Sequence, residues 1–299
     1  MKVLVTGAHG QVGWELSNRS GHRGFNILAL DRATLDITDQ SAVNRTVGRS
    51  GASVVVNGAA YTAVDHAESE PELAFAVNRD GPAYLASACA EVGIPLVHIS
   101  TDFVFDGRKQ GPYLETDRVS PLSIYGKSKA SGELATRERL RQHIILRTSW
   151  VYGVHGHNFV KTMLRLGRER DVIQVVADQY GCPTYAADLA ETILGIVAQL
   201  QESRLITWGT YHYCGKGLTS WYGFAKKIFE LASAYTTLAV KRVEPITTEA
   251  YPTVAKRPPN SALDCSLLAE KYGIMQLPWV ASLAEMIEMM FSIEKSNSS

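Results

Sequence analysis

Short apolar runs alternate with stretches of helical periodicity through the first half of the chain. The predicted strands are 2–6, 26–30, 53–57, 96–100 and 144–148. The predicted helices are 11–19, 67–78, 81–92 and 125–140. Strands separated by helices predict a parallel sheet that is covered on both faces. We therefore expect an α/β fold with a Rossmann-type doubly wound sheet, whose ligands bind at the carboxyl ends of the strands.

After residue 150 the pattern is less regular. It predicts helices at 159–169, 186–200 and 220–234, a strand at 210–214 and a proline-rich stretch at 255–261 before the last helices. We expect residues 1–150, with about 186–217 returning to them, to form one domain. A smaller domain is expected from about 151–185 and 218–293, and the polar residues 294–299 are expected to form a frayed tail.

The composition mainly argues against certain classes of protein and partner. Lysine plus arginine equals aspartate plus glutamate at 30 each, which predicts neither a nucleic-acid nor a membrane partner. No apolar stretch approaches the roughly 18 residues of a membrane helix, and the N-terminal apolar run is too short for a signal peptide. The four cysteines lack CxxC spacing, which favours reduced thiols and a cytoplasmic location.

The first strand is followed by three glycines, Gly7, Gly10 and Gly13, in the spacing GxxGxxG. Such a loop allows backbone N–H groups to approach a pyrophosphate at a helix N-terminus, although glycines alone also make tight turns. Asp31 ends the second strand, about 20 residues on, where an acid can bind the adenosine ribose or simply form a turn. Asp31 favours NADH, whereas the adjacent Arg32 can meet the 2′-phosphate of NADPH. The first domain is thus predicted to bind a dinucleotide.

Candidate chemistry lies in Tyr125 and Lys129, which share one face of a predicted helix at i and i+4. On its own such a pair is usually a surface feature. A nearby ammonium is expected to lower the pKa of the phenol, which would then donate a proton to the alkoxide formed in ketone reduction. Lys129 would also bind the nicotinamide ribose. Ser100, Thr101 and Asp102, at the end of a strand, offer a hydroxyl to hold the carbonyl.

These features together resemble the extended short-chain dehydrogenase/reductases, and within them the reductases that complete dTDP-L-rhamnose synthesis. The matching stretches run nearly from end to end: 7–16 (GAHGQVGWEL), 57–71 (NGAAYTAVDHAESEP), 100–107 (STDFVFDG), 121–129 (PLSIYGKSK), 147–152 (RTSWVY), 178–184 (DQYGCPT) and 257–261 (RPPNS). The glycine stretch is shared by the wider family. The sequences VDHAE, RTSWVY and DQYGCPT are much more specific to these reductases.

The resemblance implies reduction of the 4-keto group of a dTDP-sugar with NADPH or NADH. Residues implied to bind the cofactor are Gly7, Gly10, Gln11, Val12, Gly13, Asp31, Arg32, Asp36, Ile37, Ala59, Ala60, Tyr61, Tyr125 and Lys129. The implied catalytic residues are Thr101 as the hydroxyl, Tyr125 as proton donor and Lys129 as its support. Thr101, Asp102 and Trp150 would contact the sugar nucleotide.

The second domain is expected to hold the thymidine diphosphate. Trp221 is a stacking residue or part of the core, and Lys256 and Arg257 either neutralise the diphosphate or form a solvated basic loop. A homodimer is compatible with the family, some of whose members are bridged by magnesium through acidic residues. Glu15 is present, but Ala187 stands where we expect a glutamate, so no metal is assigned.

Two other functions remain open on the sequence. One is a nucleotide-sugar epimerase or 4,6-dehydratase of the same family, although Asp102 is followed by Phe103 where a dehydratase carries a glutamate. An epimerase would retain NAD tightly through each cycle. The other is a non-catalytic regulatory subunit of methionine adenosyltransferase, which shares the fold. Intact Thr101, Tyr125 and Lys129 favour an enzyme without excluding that role.

Overall fold

The computed structural model describes residues 1–19, 21, 24–202 and 206–296. Its strands are β1 (Lys2–Thr6), β2 (Asn26–Leu30), β3 (Val54–Asn57), β4 (Leu96–Thr101), β5 (His143–Thr148), β6 (Val151–Tyr152), β7 (Val172–Val176), β8 (Tyr180–Gly181), β9 (Thr184–Tyr185), β10 (Gly209–His212), β11 (Thr219–Ser220) and β12 (Arg242–Ile246). Its α-helices are α1 (Gln11–Arg19), α2 (Gln40–Ser50), α3 (Pro71–Phe75), α4 (Gly81–Val92), α5 (Ile124–Arg139), α6 (Phe159–Glu169), α7 (Ala186–Gln201), α8 (Trp221–Ala232), α9 (Ser266–Tyr272) and α10 (Trp279–Ser296).

Six strands form a parallel sheet in the order β10-β5-β4-β3-β1-β2. Strand β2 lies on one side of β1, and β3 lies on the other side. The order of the strands therefore reverses between β1 and β3. The carboxyl ends beside such a reversal are where doubly wound sheets bind ligands. The predicted Rossmann-type α/β fold is confirmed.

Both faces of this sheet are buried, which explains why its strands read as continuous apolar runs. Alternate residues of β1 point to opposite faces: Val3 and Val5 pack with α1 and α7, while Leu4 packs with α2 and α4. Helix α5 lies beside α4 and against β4. The residue that ends β4 therefore faces the first turn of α5.

A second hydrophobic core lies outside the main sheet. The parallel pair β7 and β12 is covered by α6, α8 and α10, with Val160, Ile173, Phe224 and Leu283 fully or nearly fully buried between them. Helix α7 and strand β10 instead pack with the main sheet. The domain boundaries proposed from the sequence stay a prediction.

Several elements differ from the sequence-based expectation. The helix predicted at 67–78 is replaced by a short 3₁₀ turn (His66–Glu68), α3 and a π-helical turn (Ala76–Asp80). Pro71 lacks an N–H group and is accommodated at the start of a new helix. Residues 294–296 continue α10 rather than forming a frayed tail, and residues 297–299 lie outside the described part. In the described part no helix is long and apolar enough to cross a membrane.

Candidate active site

The glycine loop after β1 is packed so closely that side chains are excluded. Gly7 has φ +72°, and a Cβ there would lie 2.5 Å from the backbone nitrogen of Ala59. A Cβ on Gly13 would lie 2.3 Å from the carbonyl oxygen of Gly7. The loop thus brings bare backbone to the N-terminus of α1 beside the end of β3, which fits the pyrophosphate of a nicotinamide dinucleotide.

Replacing Gly13 by alanine is expected to abolish NADPH binding, because its methyl group would meet the Gly7 carbonyl and the backbone of Ala8 at 2.8 Å. Quenching of protein fluorescence by NADPH measures the effect. The matched control is Gly48→Ala, an exposed site within α2 where nothing lies within 4 Å of the added carbon. That control should bind normally and gain about 0.5–1 kcal/mol in stability. Normal NADPH affinity in Gly13→Ala would contradict the assignment.

Acidic and basic side chains lie at the adenosine end of the loop. Oδ1 of Asp31 accepts hydrogen bonds from the hydroxyl and backbone N–H of Thr34 at 2.7 and 2.8 Å, and these hold the pKa of Asp31 below its usual value. His9 of the glycine loop lies 3.3 Å from Oδ2. Arg32 pairs with Asp36 at 3.3 Å. Asp31 is thus a turn residue and also adjoins the loop, so its contact with ribose stays a prediction.

The remaining predicted cofactor residues divide into two groups. Ala59, Ala60 and Tyr61 directly follow β3, with the Ala59 N–H donating to Asn57 at 3.1 Å. Ile37 is only 3% exposed and packs under Gly81 in the core. The packing therefore gives Ile37 a structural role, while its predicted contact with the adenosine stays untested.

The predicted catalytic residues meet where β4 ends and α5 begins. Ser123 caps α5 by accepting the N–H of Gly126 at 3.1 Å, which places Tyr125 in the first turn. Thr101, the last residue of β4, lies near enough to Tyr125 for its hydroxyl to influence the pKa of the phenol. One turn further along α5, Nζ of Lys129 donates to the carbonyl oxygen of Ile99 at 2.7 Å.

Burial controls the acid–base behaviour of this pair. It raises the pKa of the Tyr125 phenol to about 12; the nearby Thr101 hydroxyl opposes this shift and the charge of Asp102 adds to it. Burial also lowers the pKa of Lys129 to about 8. The prediction that Lys129 lowers the pKa of the phenol is therefore wrong for this structure. A phenol that stays protonated at neutral pH is suited to donate a proton to an alkoxide.

Asp102 lies beside this centre with unused hydrogen-bonding capacity. Its side chain is 2% exposed; Oδ1 accepts the Thr101 hydroxyl at 2.9 Å, and Oδ2 has no hydrogen-bond partner in the described part of the chain. Burial raises the pKa of Asp102 to about 6. A buried unpaired oxygen is costly, which makes Asp102 an unusual feature of this region, and its contact with a sugar nucleotide stays a prediction.

A cleft of about 770 Å³ is lined by Phe103, which packs on Tyr125, and by both tryptophans expected at the site, Trp150 and Trp221. Their rings stack with centroids 3.5 Å apart and planes 6° from parallel. Trp150 has φ +49°, which costs about 1–3 kcal/mol in a non-glycine residue. Its indole donates to Ser261 at 3.1 Å, and a Cβ on Gly181 would meet the ring at 2.5 Å. The contacts of the Trp150 ring with Trp221, Ser261 and Gly181 thus hold its strained backbone conformation in place at the cleft wall.

The two basic residues of the 255–261 stretch differ in position. Arg257 lines the cleft, donates to Oδ2 of Asp65 at 2.5 Å and lies 5.8 Å from the centroid of the Phe103 ring. Lys256 is exposed. Arg257 is therefore an ordered part of the cleft wall rather than a solvated basic residue, and binding of a diphosphate by either residue stays a prediction.

Comparison with known proteins identifies the family. The family described as RmlD substrate binding domain matches residues 1–292. The dTDP-4-dehydrorhamnose reductase of Aggregatibacter actinomycetemcomitans is 45% identical over 284 residues, covering 94% of this chain and 97% of that protein. The chain belongs to the dTDP-4-dehydrorhamnose reductase family.

Two solved structures of this family have the same fold. The reductase of Clostridium acetobutylicum superposes with a TM-score of 0.91 at 41% identity, covering 97% of this chain and 99% of the other. The reductase of Bacillus anthracis, solved in complex with NADP, gives a TM-score of 0.88 at 40% identity, covering 96% and 99%.

The residues considered for a bridging magnesium ion differ in this chain, and the absence of a metal stays a prediction. Oε2 of Glu15 accepts a hydrogen bond from Arg19 at 2.8 Å, and the side chain is 2% exposed. Ala187 is buried and offers no ligand atom. Among the described residues no group of three or more histidine, cysteine, aspartate or glutamate side chains could hold a metal ion.

Sequence reasoning missed a buried ion pair next to the predicted catalytic residues. Arg147, on β5, donates from Nε and Nη2 to the two carboxylate oxygens of Glu133 at 2.8 and 2.7 Å. Ser100 donates to Oε1 of Glu133 at 2.6 Å. Glu133 lies one turn after Lys129 on α5, and its charge favours the ammonium form of that lysine. The i+4 spacing 125, 129, 133 was visible in the sequence, but the partner on β5 was not.

Proposed function

We propose that the protein reduces the 4-keto group of dTDP-4-dehydro-6-deoxy-L-mannose (dTDP-6-deoxy-L-lyxo-4-hexulose) with NAD(P)H and yields dTDP-L-rhamnose. The observation that carries the proposal is the meeting of Thr101, Tyr125 and Lys129 at the carboxyl ends of the strands. Phe103, which packs on Tyr125, lines the cleft, so this group adjoins a space that could hold a ketone substrate. Among possible ketone substrates, membership of the dTDP-4-dehydrorhamnose reductase family favours a dTDP-sugar.

Each step of the reduction has a candidate group in the chain. The glycine loop with Gly7 and Gly13 would hold NAD(P)H, which would supply hydride for C4 of the sugar. Thr101 and Tyr125 hold the carbonyl oxygen, and Tyr125 transfers its proton to that oxygen as negative charge develops. Lys129, with a pKa lowered to about 8 by burial, binds the ribose and supplies positive charge beside the phenol. Asp102 orients a sugar hydroxyl.

The other two functions considered from the sequence have less support. Elimination of water by a dehydratase needs an acid after Asp102, and Phe103 there packs edge-to-face on Tyr125 with centroids 5.5 Å apart. A regulatory subunit has no need for Thr101, Tyr125 and Lys129 together around a buried phenol. Tightly retained NAD without net NAD(P)H consumption would instead support an epimerase.

The decisive experiment follows NAD(P)H absorbance with dTDP-6-deoxy-L-lyxo-4-hexulose as substrate. We expect oxidation of the cofactor only when the ketosugar is present, and formation of dTDP-L-rhamnose in equal amount. NADH and NADPH are compared in parallel, because Asp31 favours the first and Arg32 the second. If the protein reduces only a different keto sugar, the proposed substrate is wrong but the proposed ketone reduction is retained. No oxidation with any keto sugar would contradict the proposal.

The proposed partner is the dTDP-sugar, and a homodimer is compatible with the family. A cytoplasmic location fits the four buried cysteines, all of which are free thiols. With a formal net charge of zero, we do not expect binding to nucleic acid.

A further inference from the structure

The segment between β3 and α3 is held next to Tyr125 by apolar packing and by hydrogen bonds of its backbone. Ala67, fully buried in its 3₁₀ turn, packs in one apolar cluster with Ala74 and Tyr125. The backbone of Tyr61 is fixed by Asn78, which accepts from its N–H at 2.9 Å and donates to its carbonyl at 3.0 Å. This segment is therefore anchored next to the phenol independently of its acidic side chains.

Glu68 reaches from this segment to the start of the catalytic helix. Its Oε1 accepts the backbone N–H of Ile124 at 2.8 Å, across 56 residues of sequence. Ile124 is the first residue of α5, so its N–H has no partner within the helix, and a carboxylate there also complements the helix dipole. Ser123 satisfies the N–H of Gly126, so two caps surround Tyr125 in the first turn.

Asp65, three residues earlier, binds the opposite wall of the cleft. Oδ2 accepts from Arg257 at 2.5 Å, and Oδ1 accepts the backbone N–H of Ala255 at 3.0 Å. Arg257 in turn lies over the ring of Phe103, which packs edge-to-face on Tyr125. The acidic residues of one short segment thus hold the wall of the cleft and the helix that carries the phenol.

We propose that Glu68 is a positioning residue for Tyr125 and that Asp65 is a positioning residue for Arg257, so that this segment aligns the proton donor with the bound sugar nucleotide. The proposal rests on the proposed reductase function. Misplacement of a reacting group by about 1 Å can cost on the order of 100-fold in rate. Loss of the Glu68 cap should therefore lower kcat, whereas loss of the Asp65 contact should weaken sugar-nucleotide binding.

Three variants of Glu68 separate hydrogen bonding from charge. Glu68→Gln retains an oxygen at the same reach and should keep kcat within about twofold, because a neutral amide can still accept the Ile124 N–H. Glu68→Asp retains the charge but is shorter by about 1.5 Å, and it should lower kcat about tenfold, as should Glu68→Ala. KM for NADPH should stay unchanged in all three. The control is Glu72→Ala, an exposed carboxylate in α3, which should behave as the unaltered protein.

The second arm uses Asp65→Asn, which can still accept the Ala255 N–H but lacks the charge that holds Arg257. KM for the ketosugar should rise about fivefold, with kcat retained. Equal impairment in Glu68→Gln and Glu68→Asp, or an unaltered kcat in Glu68→Asp and Glu68→Ala, would overturn the role of Glu68. A rise in KM no larger than that of Glu72→Ala would overturn the role of Asp65. The unaltered protein is assayed first, since its inability to reduce any keto sugar would instead reject the reductase function.

Discussion

Replacing Tyr125 by phenylalanine is expected to lower kcat for ketosugar reduction about 1000-fold, within the range of roughly 10²–10⁴ that a positioned general acid contributes. Tyr125 is 9% exposed and lies near Thr101, so removal of its phenol oxygen leaves the alkoxide without a proton donor. The ring of phenylalanine keeps the contacts with Phe103 and Ala67. Binding of NADPH should change by less than about threefold, because the glycine loop is untouched.

The measurement compares kcat with the Kd for NADPH obtained by fluorescence titration. Phe103→Leu is the control for disturbed packing, since it removes the ring against Tyr125 without removing the hydroxyl, and it should retain most of kcat. Full activity in Tyr125→Phe would reject the proton-donor role. Equal losses of kcat and of NADPH affinity would instead indicate that the substitution disturbs the whole site.

A pH profile tests the same group. Burial raises the pKa of Tyr125 to about 12 and lowers that of Lys129 to about 8, so the phenol remains protonated across the neutral range while the lysine loses its charge above about pH 8. If Lys129 assists catalysis as an ammonium, kcat/KM for reduction falls as pH rises through that value. The alkaline limb of the profile therefore reports Lys129 rather than Tyr125.

The sequence predicted those parts of the site that local patterns encode. The glycine spacing, the strand ends and the i, i+4 pair of Tyr125 and Lys129 each depend on residues near one another in the chain. Alternation of apolar strands with helices was sufficient for the Rossmann-type fold, because strands buried on both faces carry a strong signal. The sheet pair β7 and β12 was missed, since their residues are half exposed and lie far apart in sequence.

Contacts over long sequence separation could not be predicted in this way. Pairing of Asp65 with Arg257 spans 192 residues, and whether an arginine binds a ligand or a neighbouring carboxylate depends on that contact. The pKa of Tyr125 was predicted in the wrong direction because its shift is set mainly by burial, which the chain spacing of tyrosine and lysine does not reveal. The left-handed backbone of Trp150 likewise depends on packing against Gly181 and Trp221.

The second large effect is expected from Arg147→Met, which should destabilise the fold by about 3–5 kcal/mol because it removes the buried cation that pairs with a buried carboxylate. Glu133 is fully buried and Arg147 is 2% exposed. Burial alone would raise the pKa of Glu133, but the guanidinium of Arg147 and the hydroxyl of Ser100 hold it below the usual value of 4.5. Denaturant unfolding of the variant measures the loss. The control is Arg137→Met, since Arg137 is 36% exposed and 3.3 Å from the same carboxylate, and it should cost no more than about 1 kcal/mol.

The pH dependence of this loss has a definite sign. With Arg147 present, the folded pKa of Glu133 lies below its unfolded value, so its contribution to stability is present above about pH 4.5 and is lost as pH falls through the folded pKa. Without Arg147, burial raises the folded pKa above the unfolded value, and stability is instead lost as pH rises. The deficit of Arg147→Met should therefore be smaller at about pH 5 than at about pH 8. A deficit that is equal at both values would contradict the charge as its cause.

The double variant Glu133→Leu with Arg147→Met then separates stability from catalysis. Removing both charges should restore much of the stability lost in Arg147→Met, because no ion remains buried without a partner. The charge of Glu133 raises the pKa of Lys129, so its removal lets burial lower that pKa further below about 8. The alkaline limb of the kcat/KM profile should therefore move to lower pH in the double variant, even where the fold is stable. An unmoved limb would show that the ion pair supports the fold and has no influence on the charge of Lys129.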